Sequence, residues 1–332
     1  MTSAPPARRL WLVGYLFAAA LRVVFVFAYP GGYDTQSYEM VVSIEERHGN
    51  VYSETTRYNY SPVWGWVLLG LSAIGRATGL GLVRAVGLFL LAVDVATAML
   101  VARLAGARFG PARGHLAGLL FFANPVSVLI SSWHLQFDNL SLLCLLLAIF
   151  AFEREKGTAP VVGFLSASLL VKHVTWFHPL LFLGRKERRG RAWYLMPYAF
   201  FAVSFLPFAG SWKEILDHVF RYRGLMGNYG TEAALLIRGV PEWLPSALFA
   251  IACLLAVWKL DRSDLVRASL CLFLVILVFL PGFGRQYCVW PIALGSVAPG
   301  PGLAVYTVVA AGFLARGFFG FDQAPWWLPG WY

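Results

Sequence analysis

The residues able to do chemistry fall in four short segments. The first, Tyr33 to Ser61, carries Asp34, Gln36, Tyr38, Glu39, Glu45, Glu46, Arg57, Tyr58 and Tyr60. The second is the compact run Trp133-His134-Leu135-Gln136-Phe137-Asp138-Asn139. The third is the pair Lys172-His173. The fourth holds Arg221, Arg223, Asn228 and Tyr229, joined by Arg285-Gln286-Tyr287. Carboxylates facing Lys, His and Arg suit an anionic, hydroxyl-rich substrate. The cations bind phosphate, and a carboxylate accepts a proton from an attacking hydroxyl. No HExxH, EF-hand loop, P-loop or GxGxxG is present, so no metal or cofactor is expected to be required. Asp34-Thr35-Gln36 is not a DxD pair, which argues against a metal-bridged nucleotide sugar.

Each of these residues has a plainer reading. Asp34 follows Gly31-Gly32 and suits a helix cap or turn. Glu45 and Glu46 suit a solvated helix face. Arg22 lies within snorkelling reach of the interface or of a loop carboxylate. Asp94 is mid-span and needs a hydrogen-bonding partner. His178 precedes Pro179 and suits packing, and the His134–Asp138 tip would serve simply to pair helix ends.

The elements that must position these groups are set by the composition. Of 332 residues, 59% are hydrophobic and 13% charged, against about 25% charged in soluble domains. Mean hydropathy is +0.65. So little polar surface cannot cover a water-soluble globule, and the chain reads as an all-α polytopic membrane protein. The net charge of +10 would suggest nucleic acid in a soluble protein. Here the basic residues sit in clusters between apolar runs, at Arg8/Arg9, Arg103/Arg108/Arg113, Arg154/Lys156, Arg185–Arg191 and Lys259/Arg262/Arg267, and the positive-inside rule puts all five in the cytoplasm. No nucleic-acid partner is expected. The first apolar run, 10–29, has no small-residue cleavage site after it and reads as a first span with a cytoplasmic N-terminus. The four cysteines form no CxxC pair and read as buried apolar residues.

Consecutive cytoplasmic clusters require an even number of crossings between them. Runs 10–29, 62–80 and 83–102 are therefore one too many. Run 62–80, which opens at Ser61-Pro62 with Trp64 and Trp66, is assigned to the outer interface, leaving Arg84 outside at the start of the second span. Runs 115–132 and 138–153 form the next pair. The run 159–184 reads as a short hairpin with its tip near Lys172-His173. A span at 192–208, a polar outer loop from Gly210 to about Glu242, and runs 243–259, 266–281, 288–299 and 301–318 follow, about 11 spans in all. This topology puts all four polar segments on one side.

In this order the motifs resemble the GT-C membrane glycosyltransferases. An early Asp in the first outer loop, Gly32-Tyr33-Asp34-Thr35-Gln36-Ser37-Tyr38, is followed by a Tyr60-Ser61-Pro62 turn similar to that family's Tyr-Pro-Pro or His-Pro-Pro turn. His134-Leu135-Gln136-Phe137-Asp138 and Lys172-His173 are similar to stretches of the dolichyl-phosphate-glucose-dependent glucosyltransferases of N-glycan assembly. Arg285-Gln286-Tyr287 with Trp290-Pro291 looks like a C-terminal stretch of bacterial members. Ser61 and Asp138 depart from the eukaryotic pattern. The resemblance implies a core module over 1–209 with seven spans and a jaw-like first outer loop at 30–83, an outer loop at 210–242 and variable spans over 243–332. It implies inverting transfer of a hexose from a polyprenyl-phosphate donor to a glycan, glycolipid or protein acceptor outside the membrane. Asp34 would be the general base. Lys172, His173 and Arg285 would stabilise the leaving phosphate, with Arg84, Arg221 and Arg223 in reserve. His134, Gln136, Asp138 and Tyr38 would contact the substrates, and helix 62–80 would border an isoprenoid groove. The Ala/Gly/Arg-rich composition points to a bacterial cytoplasmic membrane and an undecaprenyl or decaprenyl carrier. The rival reading is a membrane transporter or lipid flippase with an outward-facing polar cavity. It would want charges midway through several spans and often an inverted repeat; Arg22 and Asp94 qualify, but no repeat is visible.

Overall fold

A computed structural model describes residues 5–29, 31–183, 190–222, 235, 239–241 and 243–319. The described residues contain helices and no strand. Among the described residues three helices are long and apolar enough to cross a membrane, Leu10–Ala28, Gly81–Phe109 and Pro301–Phe318. The number rises to 5 if the bent pairs Pro111–Phe122 with Pro125–Trp133 and Ala192–Val203 with Leu206–Phe220 each count as one span.

The chain begins with α1 (Pro5–Ala28), whose exposed Leu, Val and Phe side chains need lipid rather than water around them. After Gly31, at φ +92°, comes α2 (Tyr33–Glu46), followed by the short α3 (Val51–Glu54). Helix α4 (Pro62–Thr78) starts with Pro at its first position, and its N-cap Ser61 accepts from the Val63 amide at 3.3 Å. Its buried residues Trp64, Leu68, Leu71 and Gly75 recur at helical spacing and so form one face. Gly79 (φ +73°) and Gly81 (φ +74°) reverse the chain into α5 (Gly81–Phe109). Gly75 packs on the Gly81 carbonyl so closely that no side chain would fit between the two helices.

At 29 residues α5 is about 44 Å long, more than a bilayer's hydrocarbon thickness of about 30 Å. Helix α6 (Pro111–Phe122) leads through α7 (Pro125–Ser127) into a π-helical turn, Val128–Trp133, and α8 (Asp138–Glu153) returns. Helix α9 (Thr158–Val171) breaks at Lys172, where a 3-10 turn, His173–Thr175, intervenes before α10 (His178–Leu183). The helix thus breaks where the hairpin tip was expected, with six described helical residues beyond it, and neither arm is among the helices long enough to cross a membrane. Then come α11 (Met196–Val203), a 3-10 turn Leu206–Ser211, α12 (Trp212–Ile215) and a π-turn Leu216–Phe220. The outer loop expected from Gly210 is therefore helical as far as Phe220. Trp212, Ile215, Val219 and Phe220 form an apolar stripe there at helical spacing, interrupted by polar residues that disguise it. The chain closes with α13 (Trp243–Lys259), α14 (Leu265–Phe279), a 3-10 turn Arg285–Val289, α15 (Trp290–Val297) and α16 (Pro301–Phe318). All eight residues of α15 are buried.

Two apolar cores result. The larger joins α5, α6, α8, α9, α14 and α15. The smaller joins the end of α1 with α2, α3, α4, the start of α5, Leu135, Phe137 and the end of α9. Trp133 packs against both. The polar tip between Trp133 and Asp138 therefore lies where the two cores meet.

A buried ion pair fixes that junction. Arg22 and Asp94, both fully enclosed, approach to 2.5 Å. Arg22 also donates to Ser127 at 2.9 Å, Ser131 at 2.9 Å, Ser132 at 3.1 Å and the Phe122 carbonyl at 3.0 Å. Asn139 donates to the other Asp94 oxygen at 2.6 Å. Arg22 thus does not snorkel to an interface or a loop. A guanidinium two turns inside an apolar span is stabilised better by a buried carboxylate than by distant water.

Candidate functional site

Asp34 occupies the second position of α2. It does not cap the helix; Gly32 does, with its amide accepted by Thr35 Oγ1 at 2.9 Å and its carbonyl accepting from the same hydroxyl at 3.0 Å. Asp34 is left part-exposed at a helix N-terminus, where the backbone dipole favours a carboxylate. Its Oδ2 lies 3.2 Å from His134 Nε2. Arg57 anchors the start of α2, donating to the Tyr33 carbonyl at 2.6 Å with its guanidinium 3.7 Å from the Tyr33 ring centroid.

His134 follows the π-turn, whose extra residue per turn re-aims the chain. The next residue, Leu135, has φ +56° and is completely buried. A left-handed leucine costs energy and persists only where its surroundings impose it. Here Tyr38 of α2 donates to the Leu135 carbonyl at 3.1 Å, and the Gln136 amide donates to Ile130 O at 3.0 Å. Phe137 stacks on Trp64 of α4, with centroids 3.8 Å apart and planes at 11°. The tip is thus clamped by α2 on one side and α4 on the other.

Asp138, at the first turn of α8, is fully buried and uses both oxygens. Lys172 Nζ donates to Oδ2 at 2.6 Å, and Trp290 Nε1 to Oδ1 at 2.6 Å. The Lys172 ammonium also lies 4.8 Å from the Phe137 ring centroid and 5.4 Å from that of Tyr60. The break in α9 that delivers Lys172 is held by α8. Ser141 donates to the Ser168 carbonyl at 2.9 Å and to the Lys172 carbonyl at 3.3 Å. Ser61, at the Tyr-Ser-Pro turn, donates to the Leu170 carbonyl just before the break. A second Pro at position 61 would remove that donor.

Electrostatics tie the groups into one neighbourhood. Burial lowers the pKa of His134; Asp34 and Asp138 oppose this, while Lys172 and Arg285 reinforce it. At neutral pH the imidazole is therefore uncharged. Arg285 donates to the Gly317 carbonyl at 2.8 Å near the end of α16, and its guanidinium lies 6.0 Å from the Phe318 ring. The His134 ring lies 4.9 Å from the same Phe318. Burial is the main cause that raises the phenols of Tyr38, Tyr60 and Tyr287, and the charges of Asp34 and Asp138 add to it in each.

Beside this cluster opens a cavity of about 700 Å³. Trp176, Phe201, Phe220 and Phe249 form much of its wall; His173, Arg221, Tyr222, Ser246, Tyr287 and Trp290 are its polar lining. Trp290 connects it directly to Asp138, and Tyr287 stacks on Trp290 at 4.3 Å.

No protein-family model matches the chain, and neither does any curated protein sequence.

The sequence-derived residues separate into groups. Asp34, His134, Asp138, Lys172, Arg285 and Tyr38 converge. His173 lines the cavity, but burial and the neighbouring Lys172 take its pKa down to about 4, so it is no cation at neutral pH. Gln136 is buried and its side-chain carbonyl has no hydrogen-bond partner. Arg221 lines the cavity but is largely exposed and pairs with Asp217 one turn earlier, at 2.8 Å. Arg84 joins neither cluster: it sits in the first turn of α5 with no ion pair among the described residues. Arg223 lies outside the described residues. Glu45 belongs to no solvated face. Both its carboxylate oxygens are enclosed without a partner, against Gly65 of α4, and burial takes its pKa up to about 7. Glu46 does face solvent and pairs with Arg76.

Sequence reasoning missed Trp290 as a partner of Asp138, Trp64 as the ring that stacks on Phe137, and Tyr222 altogether. A signal existed for Trp290: a tryptophan in an apolar run needs an acceptor for its indole N–H.

Proposed function

We propose that this protein is an inverting membrane glycosyltransferase of the GT-C type. It would move a hexose from a polyprenyl phosphate to an acceptor hydroxyl on the outer side of the membrane. The observation that carries the reading is the setting of Asp34. This part-exposed carboxylate at a helix N-terminus lies beside a neutral histidine, with Lys172 and Arg285 near enough to act on that histidine. An aromatic cavity adjoins the same cluster.

In this reading Asp34 takes the proton of the acceptor hydroxyl. The oxygen attacks the anomeric carbon from the face opposite the phosphate. The carbon–oxygen bond to phosphate breaks, and its electron pair leaves with polyprenyl phosphate. A phosphate leaving group needs cations more than a strong acid. Arg221 supplies one at the cavity, and Arg285 supplies another near His134. Asp138 holds Lys172 and Trp290 in place.

The test is transfer of radiolabelled hexose from its polyprenyl phosphate into membrane extract by the purified protein. Transfer by the native chain and loss of about 10²-fold or more by Asp34→Asn is the expected outcome. No transfer by the native form, or equal transfer by the variant, would overturn the reading.

A further inference from the structure

A second crevice, about 710 Å³ in volume, lies between α1, α5 and α6. It is remote from the site. Helix α8 runs 16 residues, about 24 Å, from Asp138 to Glu153. Glu153 pairs with Arg108 in the last turn of α5, which places that end of the molecule opposite the polar tip. The crevice lies toward this end.

Its walls are of two kinds. Leu12, Leu16, Val95 and Met99 line it while remaining 58%, 60%, 41% and 53% exposed, so it opens sideways onto whatever surrounds the helices. In a membrane protein that surrounding is lipid. Arg103 and His115 also line it, and no acidic side chain does among the described residues. The neighbouring Arg108 is engaged by Glu153 and Asp264, whereas Arg103 has no ion pair among the described residues. Tyr15 donates to the His115 backbone carbonyl at 3.1 Å, and the Trp11 ring lies 6.3 Å from the imidazole. A guanidinium with no ion pair beside an apolar crevice can take an anionic group. Basic pockets between helices at the positive end of a membrane protein take anionic headgroups.

We propose that this crevice binds one anionic phospholipid. An acyl chain lies along Leu12, Leu16, Val95 and Met99, and the phosphate sits at Arg103 and His115. The inference requires only that the chain is membrane-embedded and is independent of the catalytic reading, so its test does not use activity.

Phosphatidylglycerol and phosphatidylcholine are titrated separately into the purified full chain in detergent. Binding is read by native mass spectrometry and thermal shift. The expected result is preferential binding and stabilisation by phosphatidylglycerol. Arg103→Gln should weaken this about fivefold, the effect of one basic residue at an anionic headgroup. Met99→Trp, which fills the crevice, should abolish it. Lys156→Gln, at the same end but outside the crevice, should leave it unchanged. Arg103 is exposed, so its variant keeps the test decisive even if Met99→Trp does not fold. Equal binding of the two lipids, or equal effects of Arg103→Gln and Lys156→Gln, would overturn the proposal. So would a Met99→Cys variant that crosslinks to a second copy in the membrane, since the crevice would then be a dimer contact.

Discussion

Asp138 shows how a charged group is kept at the junction of two apolar cores. Each of its oxygens has one strong donor, Lys172 on one side and Trp290 on the other. Trp290→Phe should therefore leave a buried carboxylate oxygen without a donor and cost about 1.5–3 kcal/mol, read as a fall in thermal stability. Asp138→Asn should cost more, about 3–5 kcal/mol, because it leaves a buried ammonium with no opposite charge. If the two variants destabilise equally, Lys172 has another anion and the pair is not the organising contact. This grading was only half legible beforehand. Asp138 stood out because a turn needs no such density of polar residues. Its partners lie 34 and 152 residues away, and nothing local in the sequence marks them. His173 was legible as a site residue but misread in charge, because adjacency to Lys172 looks like a basic pair while burial makes the imidazole neutral.

Helices α2 and α4 form the walls around the polar tip, and their contact is titratable. Glu45 packs on Gly65 with no donor for its carboxylate, and Tyr52 and Tyr58 are its ionisable neighbours. Its pKa is raised from 4.5 to about 7. The folded state therefore holds this proton more tightly than the unfolded state does. Stability is greatest below about 4.5, falls as pH climbs toward 7, and is flat above it. Glu45→Gln should remove that fall, gaining about 1 kcal/mol at pH 8 and nothing at pH 4. The gain is well below the full value of the shift because the side chain is only half-buried and water screens it. Melting curves across this range check it, and a variant that is no more stable at pH 8 than the native chain would refute the enclosed carboxyl. From sequence, Glu45-Glu46 looked like one polar face. Adjacent helical residues point about 100° apart, so one of the two was free to turn inward toward a glycine. The helix over 62–80 was legible from Ser61-Pro62 and its apolar spacing. The helical course of 206–220 was not, because its apolar stripe is broken by Lys213, Glu214, Asp217 and His218.

At the scale of the whole molecule, the apolar runs and the helical class were written in composition. What joins them was not, and Arg22 with Asp94 is the clearest instance. Each was visible as a charge inside an apolar run, and each was assigned a separate fate. Two ionisable groups of opposite sign at membrane depth are stabilised best by each other, and that rule alone would have paired them across 72 residues of sequence. Here the guanidinium is saturated by a carboxylate, three serine hydroxyls and a carbonyl. These contacts tie α1 and α5 to the π-turn that delivers His134, so the network serves as a strut. A strut and a moving part respond differently to neutralisation. Arg22→Met alone should destabilise by about 3–5 kcal/mol, since Asp94 is left buried and unpaired. Arg22→Met with Asp94→Leu should recover most of that loss, because removing both charges also removes the cost of burying them. Thermal unfolding in detergent measures both. If the double variant stays as unstable as the single one, the serines bound to Arg22 rather than its charge balance hold the junction. If the double variant is stable and also keeps the proposed hexose transfer, Arg22 and Asp94 act on the proposed site only by holding the helices that carry it.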